Sequence, residues 1–571
     1  MSGKGSKSSG GARGARPEAG VTGGGSSSRG ERKGGFGTGS SKGESGTGSR
    51  AGASRGETRS GFGAGSSRGV GRDGKTVRGG SDGRHRKSTA SKLEGVPVSV
   101  GQRFESDIIG LTHEGEGVGR VEGYTLFVRG ALPGERVEAE VVSVGKSFGR
   151  SRMVRIISVG EERQDAPCPI YDSCGGCQLQ HLDYAAQLRW KRQHVVDNLV
   201  RIGKLTVEGE PSKLTADGTA AGSANPVIVR DTIGMSEPWR YRNKAQVPIG
   251  ASPEGGRRLI GGFYEHGSHD IVEMDECLIQ QSENEQTVRA VKEAASLLDI
   301  NAYDRVTGRG QLRHVVVRHA ISTGQRMVVL VTNGRDLKHR DELVSLIRQN
   351  VPGVASICQN VNTVNSPVVF GEETHVLWGE DVIYDEIGGI QFAISARSFF
   401  QVNPEQTEKL YRAAVDYAGL SGEETVIDAY CGIGTISLFL AKHARRVYGV
   451  EIIPEAVEDA RRNALLNGIH NVEFAVGPAE VVMPKWQAEG ISPEVIVVDP
   501  PRKGCDPELL NTMLQLKPAR IVYVSCNPST LARDLRVLED GGYRTVEVQP
   551  VDMFPHTGHV ECSVLLKWAG D

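Results

Sequence analysis

The stretch VYVSCNPSTLARDL, residues 522–535, sets a thiol at a structural transition. Val522 to Ser525 read as the end of a buried strand. Asn527 and Pro528 make a turn, because proline cannot continue a strand ladder. Ser529 suits the N-cap of a helix running through Leu531 and Leu535. Cys526 therefore stands at a sheet edge, either as a packed thiol or as a nucleophile. A second stretch, VVDPPRKGCDPELL, ends a strand in Asp499 and fixes the following loop with two prolines. A third, DAYCGIGTISLFLA (428–441), ends a strand in Asp428 and turns on Gly432 and Gly434 into a helix. About twenty residues on, the next strand ends in Glu451. A carboxylate there can accept both ribose hydroxyls of a nucleoside cofactor. The full G-x-G-x-x-G pattern is missing, so a dinucleotide is not favoured.

A separate cluster, CPIYDSCGGCQL, holds Cys168, Cys174 and Cys177, with Cys277 in MDECLI as a fourth candidate. Three cysteines in ten residues suggest a metal site, and zinc on four thiolates is the generic expectation. Cys358, Cys431, Cys505 and Cys562 read as packing residues.

The motifs SCNPSTLARDL, DPPRKG, RSFFQVN (397–403) and HVECSVLL (559–566) stand in this order over the last third of the chain. Together they resemble the RNA uracil-5-methyltransferase family. The resemblance implies S-adenosyl-L-methionine as methyl donor and C5 of a uridine as acceptor. It makes Cys526 the nucleophile and Glu561 the base, and it assigns Gln401, Tyr430, Glu451 and Asp499 to the cofactor. Arg502 follows the prolines where some amine-directed methyltransferases carry a base-stacking aromatic, which fits a different target atom. C5 of uracil is too weak a nucleophile to attack a sulfonium methyl unaided. A thiolate adding to C6 gives C5 the needed carbanion character, and a base then removes the C5 proton. The target base must be unpaired or flipped from its stack. Phe399 and Phe400 read equally as stacking platforms or core, and His556 and His559 as structural or surface residues, with assistance to the chemistry as the alternative. Ribosomal RNA members of the family carry a comparable cysteine pattern with a [4Fe-4S] cluster. The resemblance thus implies such a cluster on Cys168, Cys174, Cys177 and Cys277, with zinc as the alternative. The spacing is not the C-x3-C-x2-C of radical enzymes, so its role is structural or RNA-positioning.

The elements that must carry these residues fall into four segments. Residues 1–95 are Gly/Ser/Arg-rich and too poor in apolar groups to fold, so a disordered tail is expected. They hold 19 Lys and Arg against 7 Asp and Glu, while the remainder holds 49 against 63. A basic tail on an acidic body suggests an anionic partner. Residues 96–160 alternate in short apolar stretches and resemble a TRAM domain, a small OB-like RNA-binding β-barrel. Residues 161–385 read as a mixed α/β central domain, with a loop insertion at 211–225. Arg240, Arg242 and Lys244 alternate there along an expected strand and can present positive charge on one face. Residues 386–571 alternate strand and helix as a Rossmann-like α/β methyltransferase domain. No apolar run of about 18 residues and no leader pattern is present, so a cytoplasmic protein is expected. The expected partner is 23S-type ribosomal RNA, with no membrane, no stable protein partner and a monomeric state. Transfer RNA is the alternative substrate. A catalytically inactive RNA-binding or ribosome-assembly factor is the alternative class.

Overall fold

The computed structural model describes residues 95–210 and 226–570, all within one unit spanning Lys87–Asp571. The basic tail and the 211–225 insertion lie outside the described residues, apart from Gly95. Among the described residues no helix is long and apolar enough to cross a membrane.

The first sheet has five strands, Arg103–Asp107, Glu116–Val121, Tyr124–Arg129, Arg136–Val144 and Phe148–Ser158. Their order in space is first, fourth, fifth, third, second. Alternation sends Leu126, Val128, Val137, Ala139 and Val141 inward. Ile109 N–H donates to Val118 O at 2.9 Å, and Val118 N–H donates to Gly110 O at 2.8 Å. These bonds join the chain after the first strand to the second strand and close the sheet as a barrel. A Cβ on Gly117 would sit 2.7 Å from the Ala131 carbonyl oxygen, so only glycine lets the closing strand approach this far.

The second sheet has seven strands and runs, in space, Glu373–Gly379, Val354–Val361, Arg326–Thr332, Leu312–His319, Lys244–Ala251, Leu259–Tyr264 and Ile271–Glu273. Both faces of its centre are buried, which explains the unbroken apolar run MVVLVT. Val315 and Val317 face the helices Ser282–Leu297 and Arg340–Asn350, through Val288, Val291, Leu343 and Ile347. Val316, Met327 and Val329 face the opposite way and join the core that holds Phe392, Leu410 and Val426. The central sheet is thereby glued directly to the last third of the chain.

The third sheet orders Val472–Val476, Arg446–Glu451, Thr425–Ala429, Val495–Val498 and Arg520–Ser525 in parallel. The antiparallel hairpin Tyr543–Val551 and Glu561–Trp568 completes it, and Ile228–Val229 adds a short edge. This is the doubly wound sheet expected from the strand-helix alternation. It also draws on chain well before residue 386: the helix Tyr184–Arg201 packs Val195, Val196 and Leu199 into the same core as Leu531 and Leu535.

One buried ion pair locks that helix to the last hairpin. Lys191 Nζ donates to Asp552 Oδ1 at 2.5 Å and to Phe554 O at 3.1 Å, with both charged side chains fully buried. Tyr184 Oη donates to the other Asp552 oxygen at 3.0 Å. Removing one partner strands a buried charge. Asp552→Ala is expected to destabilise the protein by about 3–5 kcal/mol. Lys191→Met added to it should recover part of that loss. Denaturant unfolding followed through tryptophan fluorescence measures both, and equal midpoints for wild type and Asp552→Ala would contradict the role given to the pair.

Candidate active site

Cys526 follows the fully buried strand end Val522 to Ser525. The helix after it, Pro528–Asp540, is capped by Asn527, whose side chain accepts from Ser529 N–H at 3.0 Å. The cap is therefore two residues earlier than the expected Ser529. Pro528 explains the shift: at the first helical position its fixed φ and missing N–H cost nothing. Asn527 Nδ2 also donates to Arg502 O at 3.1 Å, and Thr530 Oγ1 donates to the same oxygen at 3.2 Å. The loop carrying Cys526 is thus tied to the DPPR loop.

Strand register then assembles the site. Val498 pairs in parallel with Tyr523, so Asp499 emerges at the same carboxyl edge as Cys526. Ser525 pairs in antiparallel with Cys562, which brings Glu561 opposite Cys526 on the neighbouring strand. Glu561 is buried and Cys526 half-buried. Burial, followed by Glu561 and Asp499, pushes the Cys526 thiol up to about 12, while Arg502 pulls it down. Burial, followed by Asp499, raises the Glu561 carboxyl well above the usual carboxylate range, again against Arg502. Burial alone raises Asp499 to about 7. Three acids and one guanidinium share one dry edge.

The Gly-rich turn lies beside them. Tyr430, Gly432 and Gly434 all have positive φ, at 65°, 55° and 82°. Glu451 accepts Gly432 N–H at 3.2 Å and Ile453 N–H at 3.0 Å, so the carboxylate at the end of the second strand clasps the turn after the first. Asp428 lies one residue inside its strand and accepts from Ser437 Oγ at 2.5 Å. Burial chiefly, then Asp499 and Glu451, lift it to about 7. Asp428 Oδ1 and the Tyr430 hydroxyl are buried without a partner. Unpaired buried polar atoms around a left-handed glycine turn are what a polar nucleoside cofactor would satisfy.

Gln401 is buried, and its carbonyl accepts from Asn243 Nδ2 at 3.0 Å. The hydroxyl of buried Tyr411 lies 3.4 Å from Thr435 Oγ1, and burial chiefly, then Asp499 and more weakly Glu561, push it up against Thr435 and Gln401. Sequence reasoning missed Tyr411, because it lies in the apolar stripe Leu410, Tyr411, Ala414, Ala418 of a helix. A hydroxyl in that stripe, needing a partner, was the one available clue. Of the two phenylalanines, Phe400 is core and Phe399 is 65% exposed. His556 is buried, stacked on Trp239 at 3.7 Å, and its carbonyl accepts both Gln178 and Leu179 N–H at 3.0 Å. It holds the cysteine segment to the loop before Glu561.

Cys168, Cys174, Cys177 and Cys277 line one cavity of about 440 Å³. Burial first, and neighbouring cysteines after it, push Cys177 up to about 12 and Cys277 to about 11. Among the described residues no three His, Cys, Asp or Glu side chains are gathered to hold a single metal ion. Arg240 departs from the expected basic row. Its φ is 54°, and it turns away to pair with Glu276 and Glu285 and to donate to Cys277 O at 3.1 Å. It braces the loop that carries Cys277.

Known proteins share this organisation. The profile of the TRAM domain matches residues 97–154, and that of the tRNA (Uracil-5-)-methyltransferase family matches residues 383–569. An uncharacterized RNA methyltransferase of Halalkalibacterium halodurans is 58% identical over 472 residues, covering 83% of this chain and 98% of its own. One from Bacillus cereus is 52% identical over 470 residues, covering 82% and 97%. The crystal structure of the Pyrococcus abyssi tRNA (uracil-54, C5)-methyltransferase with S-adenosyl-L-homocysteine superposes with a TM-score of 0.62 at 28% identity. It covers 81% of this chain and 100% of its own.

The electrostatics give a direct expectation. Cys526 should alkylate slowly with iodoacetamide near neutral pH, and the rate should rise about tenfold per pH unit as thiolate forms. Glu561→Gln should lower the thiol pKa and speed alkylation at fixed pH, whereas Arg502→Met should slow it. Peptide-level mass spectrometry resolves Cys526 from the other cysteines. A rate indifferent to both substitutions would contradict the shared edge.

Proposed function

Because the chain belongs to the RNA uracil-5-methyltransferase family, we propose that it methylates C5 of a uridine in ribosomal RNA, using S-adenosyl-L-methionine, as a cytoplasmic monomer. The observation that carries the proposal is the register that brings Glu561 opposite Cys526 beside Asp499 and Arg502. When bound, S-adenosyl-L-methionine supplies an electrophilic methyl group on a sulfonium. Gln401, Tyr430, Glu451 and Asp499 would hold it, and the unpaired Tyr430 hydroxyl and the Glu451-clasped turn suit that ligand.

The protein's own groups do the rest. Cys526 Sγ bonds to C6 of the uracil, and the ring electrons move to C5. Once C5 has taken the methyl group, with the S–CH3 electron pair left on the donor as a neutral thioether, Glu561 takes the C5 proton, the C5–C6 double bond reforms and Sγ leaves with its electron pair. The thiolate is needed for addition, and Arg502 is the cation that lowers its pKa. A carboxylate raised by burial is a strong enough base to take a carbon-bound proton next to a carbonyl.

The closed barrel and the four cysteines around one cavity support a ribosomal substrate, since the resemblance ties both features to ribosomal RNA members. The Pyrococcus abyssi enzyme is named for tRNA and aligns over its whole length, which supports a transfer RNA uridine as the second reading. An all-sulfur donor set spread around a cavity suits a [4Fe-4S] cluster on Cys168, Cys174, Cys177 and Cys277. Such a cluster would brace the segment that His556 holds against the catalytic loop.

Two measurements test these readings. Labelled methyl transfer to unmodified ribosomal and transfer RNA should go to ribosomal RNA with wild type and stop with Cys526→Ala. Glu561→Gln should accumulate a methylated protein–RNA adduct. Transfer to tRNA alone would select the second reading, and no transfer at all would leave an RNA-binding factor. Protein purified without oxygen should contain iron and acid-labile sulfide in near-equal amounts. Stoichiometric zinc without sulfide would replace the cluster.

A further inference from the structure

The basic row that sequence analysis singled out is not used by the chemistry above, and the structure redraws it. The strand Lys244–Ala251 and the residues before it alternate. Tyr241, Asn243, Ala245 and Val247 are buried, while Arg242, Lys244 and Gln246 share the other face. All three line the cavity that the cysteines also line. Arg502, Phe554, Thr557 and His559 of the catalytic domain also line it.

The cations on this wall are unpaired. Among the described residues no carboxylate lies within salt-bridge distance of Arg242, Lys244 or Arg502, whereas most of the described arginines have one. Glu276 lines the same cavity but is taken by Arg240. The cations also crowd each other. Burial chiefly, then Arg318 and Arg242, bring Lys244 down to about 7. Burial, then Arg502 and also Arg242, bring His559 down to about 4. Arg318 itself is spent on the Ala396 and Ser398 carbonyl oxygens. Clustered positive charge on a half-buried face costs free energy unless an anion completes it. Phe263 and Phe554 supply flat apolar wall beside it.

We propose that Arg242 and Lys244, with Gln246 as a neutral hydrogen-bonding partner, form a phosphodiester subsite that seats the RNA backbone beside the target uridine. The proposal rests on the reading of the protein as an RNA uridine methyltransferase. Arg502 joins the two sites, since it lines this cavity and acts on both Cys526 and Glu561. A strand seated on Arg242 and Lys244 presents its neighbouring nucleotide to the edge where the thiol stands. The aromatic wall accepts an unpaired base without selecting its identity. The subsite positions RNA rather than reading its sequence.

The test uses the full-length protein and a single-stranded twelve-residue oligouridylate, with affinity measured across a salt series. Lys244→Met and Arg242→Met should each weaken binding severalfold at low salt and reduce the slope of log affinity against log salt by about 0.7. Gln246→Glu leaves both cations in place but puts a carboxylate on their face, and it should weaken binding too. Thermal melts and binding of S-adenosyl-L-homocysteine are followed alongside, and both should match wild type. Unchanged salt slopes in all three variants would overturn the proposal. So would loss of bound iron or zinc with RNA affinity intact, which would make the cations counter-ions of the cysteine site. If wild type binds the oligouridylate with these slopes yet methylates no RNA, the subsite stands and the functional reading falls.

Discussion

The site depends on the pairing of two strand ends. Arg520–Ser525 runs parallel to its neighbour on one side and antiparallel to Glu561–Trp568 on the other. That switch of direction lets a residue just past the end of one strand face a residue at the very start of the next. A register slip by one residue would turn every side chain of Glu561–Trp568 to the opposite face. Burial on both faces forbids it: Val522 and Val524 pack into one core, and Ile521, Tyr523, Val564 and Leu566 into the other. Two apolar cores thus hold a polar pair in place without touching it.

Around that pair the protein accumulates electrostatic cost. Asp428, Asp499, Glu561 and the Cys526 thiol are all raised, each mainly by burial. Among the described residues, the cation that offsets Cys526 and Glu561 is Arg502. Burial beside other acids favours the neutral carboxyls and the protonated thiol. A positive charge brought to the same edge would favour the ionised forms of the thiol and the carboxyls. The buried Lys191–Asp552 pair and the His556 carbonyl bonds do the mechanical part. They pin the loop before Glu561 to the helix Tyr184–Arg201 and to the cysteine segment.

Much of this was legible in the sequence. The Asn-Pro after Cys526, the paired prolines after Asp499 and the glycines after Tyr430 each mark a strand end, and strand ends at one sheet edge are where α/β proteins gather chemistry. The alternation of strand and helix patterns over 386–571 pointed to the parallel sheet. What was hidden depends on contacts far apart in sequence. Nothing local marks Lys191 and Asp552 as partners across some 360 positions. Tyr411 reads as core from its helical spacing. Ile228–Val229 is too short to signal a strand, yet it edges the catalytic sheet. The basic row lost Arg240 because a left-handed turn, invisible to a period-two pattern, swings it toward Glu276 and Glu285.

The central claim is that Cys526 bonds to the uracil and Glu561 must then remove a proton from C5. An RNA carrying 5-fluorouridine at the target position tests it, because fluorine cannot leave as a proton does. Incubated with S-adenosyl-L-methionine, such RNA should arrest on the protein after methylation. Digestion and mass spectrometry should then find methylated fluorouridine attached to the peptide that contains Cys526. An adduct on another cysteine, or no adduct from a protein that methylates ordinary RNA, would contradict the account.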